Sequence, residues 1–103
     1  MSRYEDRLKL DQLGNFLEEK KYDKALEIVQ EFDIDKIKET PELKLFAEVY
    51  SANEMYVKAR DIYRTIYEQI NTRRILYKLI MLCIKCDSLP EAESLYQEYL
   101  TDR

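Results

Sequence analysis

The sequence predicts an all-α fold in one domain, built from three helix pairs, six helices in all, stacked as a solenoid. Three observations lead there. Of 103 residues only one is Gly and two are Pro, while Glu, Lys, Leu and Ile abound, so material for tight hairpins is scarce and material for helices plentiful. Three short runs, KAL at 24–26, KAR at 58–60 and EAE at 91–93, set Ala25, Ala59 and Ala92 apart by 34 and 33 residues. Each alanine follows a segment with helical apolar spacing. A lone helix pair cannot bury its own apolar face, whereas stacked pairs share a continuous core.

The units are expected at about 4–35, 40–70 and 73–101. Unit one opens with a helix over 4–19, whose buried side is Leu10, Leu13, Gly14 and Leu17, extended by Tyr4 and Leu8. Its inner turn, Lys20-Lys21, reads one residue shorter than the later ones. The second helix continues from Ala25 through Val29 and Phe32, and a polar connector over 32–40 includes a short turn that brings Ile34 and Ile37 to the core. In unit two, Leu43, Phe46, Ala47 and Tyr50 fall at i, i+3, i+4 and i+7 and share one face. Thr40 is suited to cap that helix, and Pro41 is tolerated at its first position because the missing N–H would be unpaired anyway. Ser51–Asn53 interrupts the pattern, and Ala59, Tyr63 and Ile66 line the next helix. Unit three is opened by Asn71-Thr72 as a cap and buries Leu76, Leu79, Ile80 and Cys83. Ser88-Leu89-Pro90-Glu91 reads as a capping box for the sixth helix, in which Tyr96 and Tyr99 continue the buried set.

That last helix carries Leu89, Leu95, Tyr96, Tyr99 and Leu100, more apolar surface than one face can bury. Two outcomes are expected of such an end: the chain is a truncated part of a longer solenoid, which is the favoured reading, or the end pairs with another molecule.

A period near 34, large and small residues alternating in the first helix, and an alanine early in the second together resemble the tetratricopeptide repeat across nearly the whole chain. Leu13-Gly14-Asn15, Tyr22-Asp23-Lys24-Ala25-Leu26 and Tyr56-Val57-Lys58-Ala59 carry the likeness most closely. The family's first-helix Trp, its inner-turn Gly and its closing Pro are missing, and Phe32, Ile66 and Tyr99 stand where a second small residue is usual. The chain is also similar to the N-terminal segment of larger bacterial tetratricopeptide proteins. The resemblance implies a right-handed superhelix whose concave groove takes an extended peptide or a partner helix. Carried over, its groove positions are Leu8, Asp11, Asn15 and Glu18, then Lys44, Glu48 and Ser51, then Arg74, Tyr77, Lys78, Met81 and Lys85. Asn15, Lys44, Glu48, Arg74, Tyr77, Lys78 and Met81 are the candidate partner contacts; the rival use of these residues is an ordinary solvated helix face. A related subset clamps chaperone C-terminal carboxylates. Asn15, Arg74 and Lys78 match it, but Asp11 replaces its first Lys and Leu45 its second Asn, so a carboxylate would meet an acid.

Composition narrows function further. The net charge of −4 opposes attraction to nucleic acid or anionic lipid, and no apolar run is long enough to span a bilayer. Residues 53–86 form a locally basic band with Tyr63, Tyr67 and Tyr77 nearby, and Ala59-Arg60-Asp61-Ile62-Tyr63 is similar to a helical-repeat variant of RNA-processing scaffolds. Complementary charge between neighbouring units accounts for the band equally well, so nucleic acid is not the favoured partner. Cys83 and Cys86 form a lone C-x-x-C at the end of a helix, where the dipole opposes a thiolate; with no His in the chain they read as packing residues, with no metal and no cofactor. The absence of His and of Gly-rich loops leaves no catalytic constellation. The expected function is a non-enzymatic scaffold, cytoplasmic, binding a protein or peptide. The alternative is self-assembly as a homodimer through Leu95, Tyr96, Tyr99 and Leu100.

Overall fold

The computed structural model describes residues 3–101, so Met1, Ser2 and the Asp102-Arg103 end that follows the sixth helix lie outside the described residues. Six α-helices follow one another: α1 (Arg3–Glu18), α2 (Tyr22–Val29), α3 (Thr40–Ala52), α4 (Tyr56–Gln69), α5 (Arg73–Lys85) and α6 (Leu89–Thr101). A 3₁₀ turn at Ile34–Lys36 joins α2 to α3, and there is no strand among the described residues. Each helix packs on the next in chain order, and α1 also touches α3. The principal extents are 43 × 24 × 21 Å and the Cα radius of gyration is 14.4 Å, longer than the roughly 13 Å of a rounded domain of this length.

Three turns of one design organise the chain. Lys20, Glu54 and Asp87 all adopt left-handed backbone, with φ of 59°, 61° and 59°. Around each, two hydrogen bonds close the preceding helix. The N–H groups of Lys21, Met55 and Ser88 each donate at 2.8 Å to the carbonyls of Phe16, Tyr50 and Cys83. Those of Lys20, Glu54 and Asp87 donate to Leu17, Ser51 and Ile84 at 3.1, 3.0 and 3.2 Å. This is the Schellman arrangement, which satisfies carbonyls a helix end leaves open. Four residues further on stand the three alanines, whose N–H groups donate back to Lys21, Met55 and Ser88 at 3.1, 3.2 and 2.9 Å and so begin each second helix. Ala25 and Ala59 are fully buried and Ala92 nearly so.

The inner turns are therefore equal in length, and the expected shortening at Lys20-Lys21 is absent. This shifts the register of α1 by one residue. Phe16, rather than Leu17, matches Tyr50 and Cys83, and Leu13, rather than Gly14, matches Ala47 and Ile80. Leu13 is fully buried, Leu10, Phe16 and Leu17 are half-buried, and Gly14 is not a close-approach site, since a Cβ there meets nothing within 4 Å. In the corrected register Gln12 and Asn15, both exposed, stand where Phe46 and Val49, then Leu79 and Leu82, are buried. Matching apolar residues to one another slid α1 out of step because its outward face is polar.

The remaining apolar sets pack largely as expected. Leu43, Phe46, Ala47 and Tyr50 are buried in α3 and Leu76, Leu79, Ile80 and Cys83 in α5. Ile34 and Ile37 pack on the main core, and Phe32 tilts against Phe46 at 5.3 Å. Ile75 and Leu82 of α5 join the core of the first four helices, while Leu79, Cys83 and Ala92 form a second cluster covered by Tyr63, Tyr67 and Leu95. Two cap assignments are corrected. Glu39 stands at the N-cap of α3, and the Thr40 hydroxyl donates to Gln69 Oε1 at 2.9 Å, across to the far end of α4. Ser88 and Glu91 are held by arginines of α4, so the oxygens of the expected capping box are used between helices. Thr72 does cap α5, its hydroxyl accepting from the Ile75 N–H at 3.3 Å.

The lone glycine thus lies inside a helix that prefers alanine, while three left-handed positions that prefer glycine lack it. Gly14→Ala, Lys20→Gly and Glu54→Gly are each expected to stabilise the fold by about 0.5–1 kcal/mol, raising Tm in thermal unfolding by about 2–8 °C. Asp87→Gly is expected to gain less, because aspartate tolerates left-handed backbone better than lysine or glutamate.

Candidate partner-binding groove

Helix α6 is fixed from one side and open on the other. Its inward stripe, Glu91, Leu95 and Glu98, and Ser88 just before it are each engaged. Arg60 Nη1 donates to Ser88 Oγ at 2.7 Å and to Cys86 Sγ at 3.5 Å. Arg64 straddles the Glu91 carboxylate, its Nε donating to Oε2 at 2.7 Å and its Nη2 to Oε1. The Tyr67 hydroxyl donates to Glu98. Leu95 packs on Leu79, Cys83 and Ala92 and so belongs to the core, not to the exposed self-association face expected for it. The Arg64 hydrogen bond is the main reason Glu91 is held below the usual carboxylate range.

The outward stripe of α6, Leu89, Tyr96 and Tyr99, with the buried Ala92 beneath it, faces Tyr77, Ile80, Met81 and Ile84 of α5. Together they line an apolar groove of about 590 Å³, with Glu93 as its acidic residue. Tyr96 and Tyr99 stack at 6.3 Å with 13° between their planes, Tyr77 meets Tyr99 at 6.4 Å, and the Arg73 guanidinium lies 4.1 Å from the Tyr99 ring centre. The floor is half open: Tyr77 is 51 % exposed, Leu89 57 % and Tyr96 48 %. The expectation that Tyr96 is buried in its own unit is therefore corrected. Its counterpart 33 residues earlier, Tyr63, is half-buried beneath the Leu79–Cys83–Ala92 cluster, and that burial raises the Tyr63 hydroxyl above its ordinary value.

The residues singled out from sequence divide. Tyr77 and Met81, expected in a groove running across all three units, instead join Tyr96 and Tyr99 in the α5–α6 groove. Lys44 and Glu48 hold the register positions of Tyr77 and Met81 one unit earlier and are exposed. Arg74 and Lys78 are exposed on α5, beside the groove. Asn15 does not align with these residues; it occupies the register of Val49 and Leu82, on the outward face of α1. Leu100 is half exposed at the end of α6 and lies outside the groove lining. Leu89, Ile80 and Ile84 are groove residues not expected there from sequence, although Tyr77, Ile80 and Ile84 fall at i, i+3 and i+7 and Leu89 and Glu93 at i and i+4.

Part of the basic band resolves into internal contacts, while Arg74 and Lys78 remain exposed. Arg60 and Arg64 bind α6, Lys58 lies over Tyr50 at 5.5 Å and Lys85 over Tyr56 at 5.1 Å. Tyr63 and Tyr67 are half-buried against the Leu79–Cys83–Ala92 cluster, so part of each ring is already used in packing. Cys83 is fully buried, and burial pushes its thiol up to about 11. Cys86 donates to the Leu82 carbonyl at 3.1 Å. A second concavity, about 630 Å³ between α1, the 3₁₀ turn and α3, mixes Asp6, Asp11 and Glu42 with Arg7, Lys36 and Lys38 and lacks an apolar floor of comparable extent. No helix among the described residues is long and apolar enough to cross a membrane.

Two measurements test these electrostatics. In Ellman titration at pH 8, Cys86 is expected to react first and Cys83 only on unfolding, because roughly one Cys83 thiol in a thousand is then ionised. Glu91→Gln is expected to cost about 1 kcal/mol at pH 7, a modest figure because the pair is partly solvated. A depressed carboxylate stabilises the fold above its unfolded pKa, so the difference between wild type and variant is expected to close as pH falls below about 4.

No protein-family model matches the chain, and no curated protein or solved structure is significantly similar to it.

Proposed function

We propose that the chain is a non-enzymatic protein–protein interaction module of tetratricopeptide-like, right-handed solenoid architecture, and that it holds a helix of its partner in the α5–α6 groove. Support for the repeat reading comes from three turns with the same hydrogen bonds, each followed at the same distance by a buried alanine. Two free thiols suit a cytoplasmic setting.

One observation carries the groove. Tyr63 of unit two is covered by unit three, while Tyr96, its counterpart, is 48 % exposed on a groove with an apolar floor. In the first case the cover is mainly the apolar face of α5, through Leu79 and Cys83, with Ala92 of α6 beside them. A helix presenting apolar residues at i, i+3 or i+4 and i+7 fits the same surface in unit three, and burying it would remove exposed tyrosine and leucine from water. The aromatic anchors Tyr77, Tyr96 and Tyr99 are of the type that dominates binding energy at interfaces, since they bury large area at small entropic cost.

The test is affinity capture from the source cell with quantitative mass spectrometry, comparing wild type with Tyr77→Glu and Tyr96→Glu. Both positions are half exposed, so the variants are expected to fold, as circular dichroism will show. A partner enriched by wild type is expected to fall by about tenfold or more with each variant. Equal recovery by all three proteins overturns the groove as the binding site.

A further inference from the structure

We infer that the occupant of the α5–α6 groove is a second copy of the same groove, giving a two-fold symmetric dimer in which α5 of each chain lies along α6 of the other. The inference rests on the groove being a binding site. It goes further in naming the partner, which the charge of the groove walls selects.

The two walls of the groove are opposite in sign. Helix α5 carries Arg73, Arg74, Lys78 and Lys85 and no acid; α6 carries Glu91, Glu93 and Glu98 and no base. Of these acids, Glu91 and Glu98 are taken by α4, whereas Glu93 lines the groove with no ion pair among the described residues. Arg74, Lys78, Met81 and Lys85 are spaced i, i+4, i+7 and i+11, so the cations edge the same side of α5 that carries Met81 into the groove.

When two identical hairpin faces meet, the two-fold axis lies in the interface, either across the helices or along them. An axis across them sets α5 on α5 and brings basic walls together. An axis along them sets α5 on α6 and brings each basic wall to an acidic one. Like charges placed opposite one another penalise the first arrangement, so only the second is favourable on both counts, charge and apolar contact. Counting outward from the turn at 86–88, Glu93 stands level with Met81. In the second arrangement it therefore falls between Lys78 and Lys85 of the other chain, about one helical turn from each. The tyrosines of each floor meet the Ile80, Met81 and Ile84 stripe of the other. A partner carrying an unrelated apolar helix fits the floor, but nothing in such a helix demands a groove with one basic and one acidic wall.

Sedimentation equilibrium between about 1 and 100 μM, with circular dichroism as the folding control, tests the inference. Wild type is expected to show a reversible monomer–dimer equilibrium. Lys78→Glu and Glu93→Lys are each expected to weaken the dimer by about tenfold or more. An equimolar mixture of the two variants is expected to recover dimer, because in the mixed dimer positions 78 and 93 again pair opposite charges at both contacts, whereas each variant alone pairs like with like. A wild type that stays monomeric overturns the inference, as does a dimer indifferent to both reversals or to Tyr96→Glu. A monomer whose partner capture is nonetheless lost in Tyr96→Glu overturns the dimer alone and leaves the groove as a site for a different helix.

Discussion

At the start of each second helix stands a methyl group, at Ala25, Ala59 and Ala92, buried against the rest of its unit and set four residues after the end of a left-handed turn's reach. The turn reverses the chain within three residues, so the second helix must lie close along the first. A larger side chain at the alanine would force the pair apart or into strained rotamers, and every contact beyond it depends on that closeness. The turn itself is built against local preference, with lysine, glutamate and aspartate in backbone that favours glycine. Packing and the paired Schellman hydrogen bonds outweigh that cost.

From this constraint follows a difference between the two ends of the described chain. Where α3 and α5 bury Phe46 and Val49, or Leu79 and Leu82, α1 presents Gln12 and Asn15 to water. At the other end, α5 and α6 present Tyr77, Met81, Leu89 and Tyr96. Polarity at one end and apolar surface at the other give the described chain a direction. The joints between units differ as well. Asn53 Nδ2 bridges the Tyr22 and Val49 carbonyls at 3.0 and 2.9 Å between units one and two, whereas arginines and a tyrosine of α4 hold α6 between units two and three. The second joint is charged, and by fixing α6 from behind it leaves the tyrosine face outward.

Much of the fold was legible in the residues because helical periodicity is a local property. The apolar spacing in α3 and α5, the alanine period and the Thr72 cap all describe contacts within a helix or across one turn, and the structure has them where the sequence places them. The site was less legible. The residue pattern assigns Tyr77 and Met81 to one surface and Tyr96 and Tyr99 to another, whereas the structure brings the four together. Leu95, alike in composition and spacing, went inward because it lies one residue from Tyr96 and so a quarter-turn away, against Leu79 and Cys83. Apolar matching gives the wrong register for α1 for a physical reason too: it assumes each copy buries the same positions, and an outward face does not.

The sequence by itself determined the six helices, the period that pairs them and the alanines that allow close approach, since these depend on spacing along the chain. Only the tertiary structure decided where the polar side chains turn. Ser88 and Glu91 could each have capped the helix they begin, but arginines 27 and 28 residues earlier offer charge-assisted bonds that a neutral backbone N–H does not match. With those side chains drawn toward α4, the opposite face of α6 is left apolar and open, and the groove exists because of that choice.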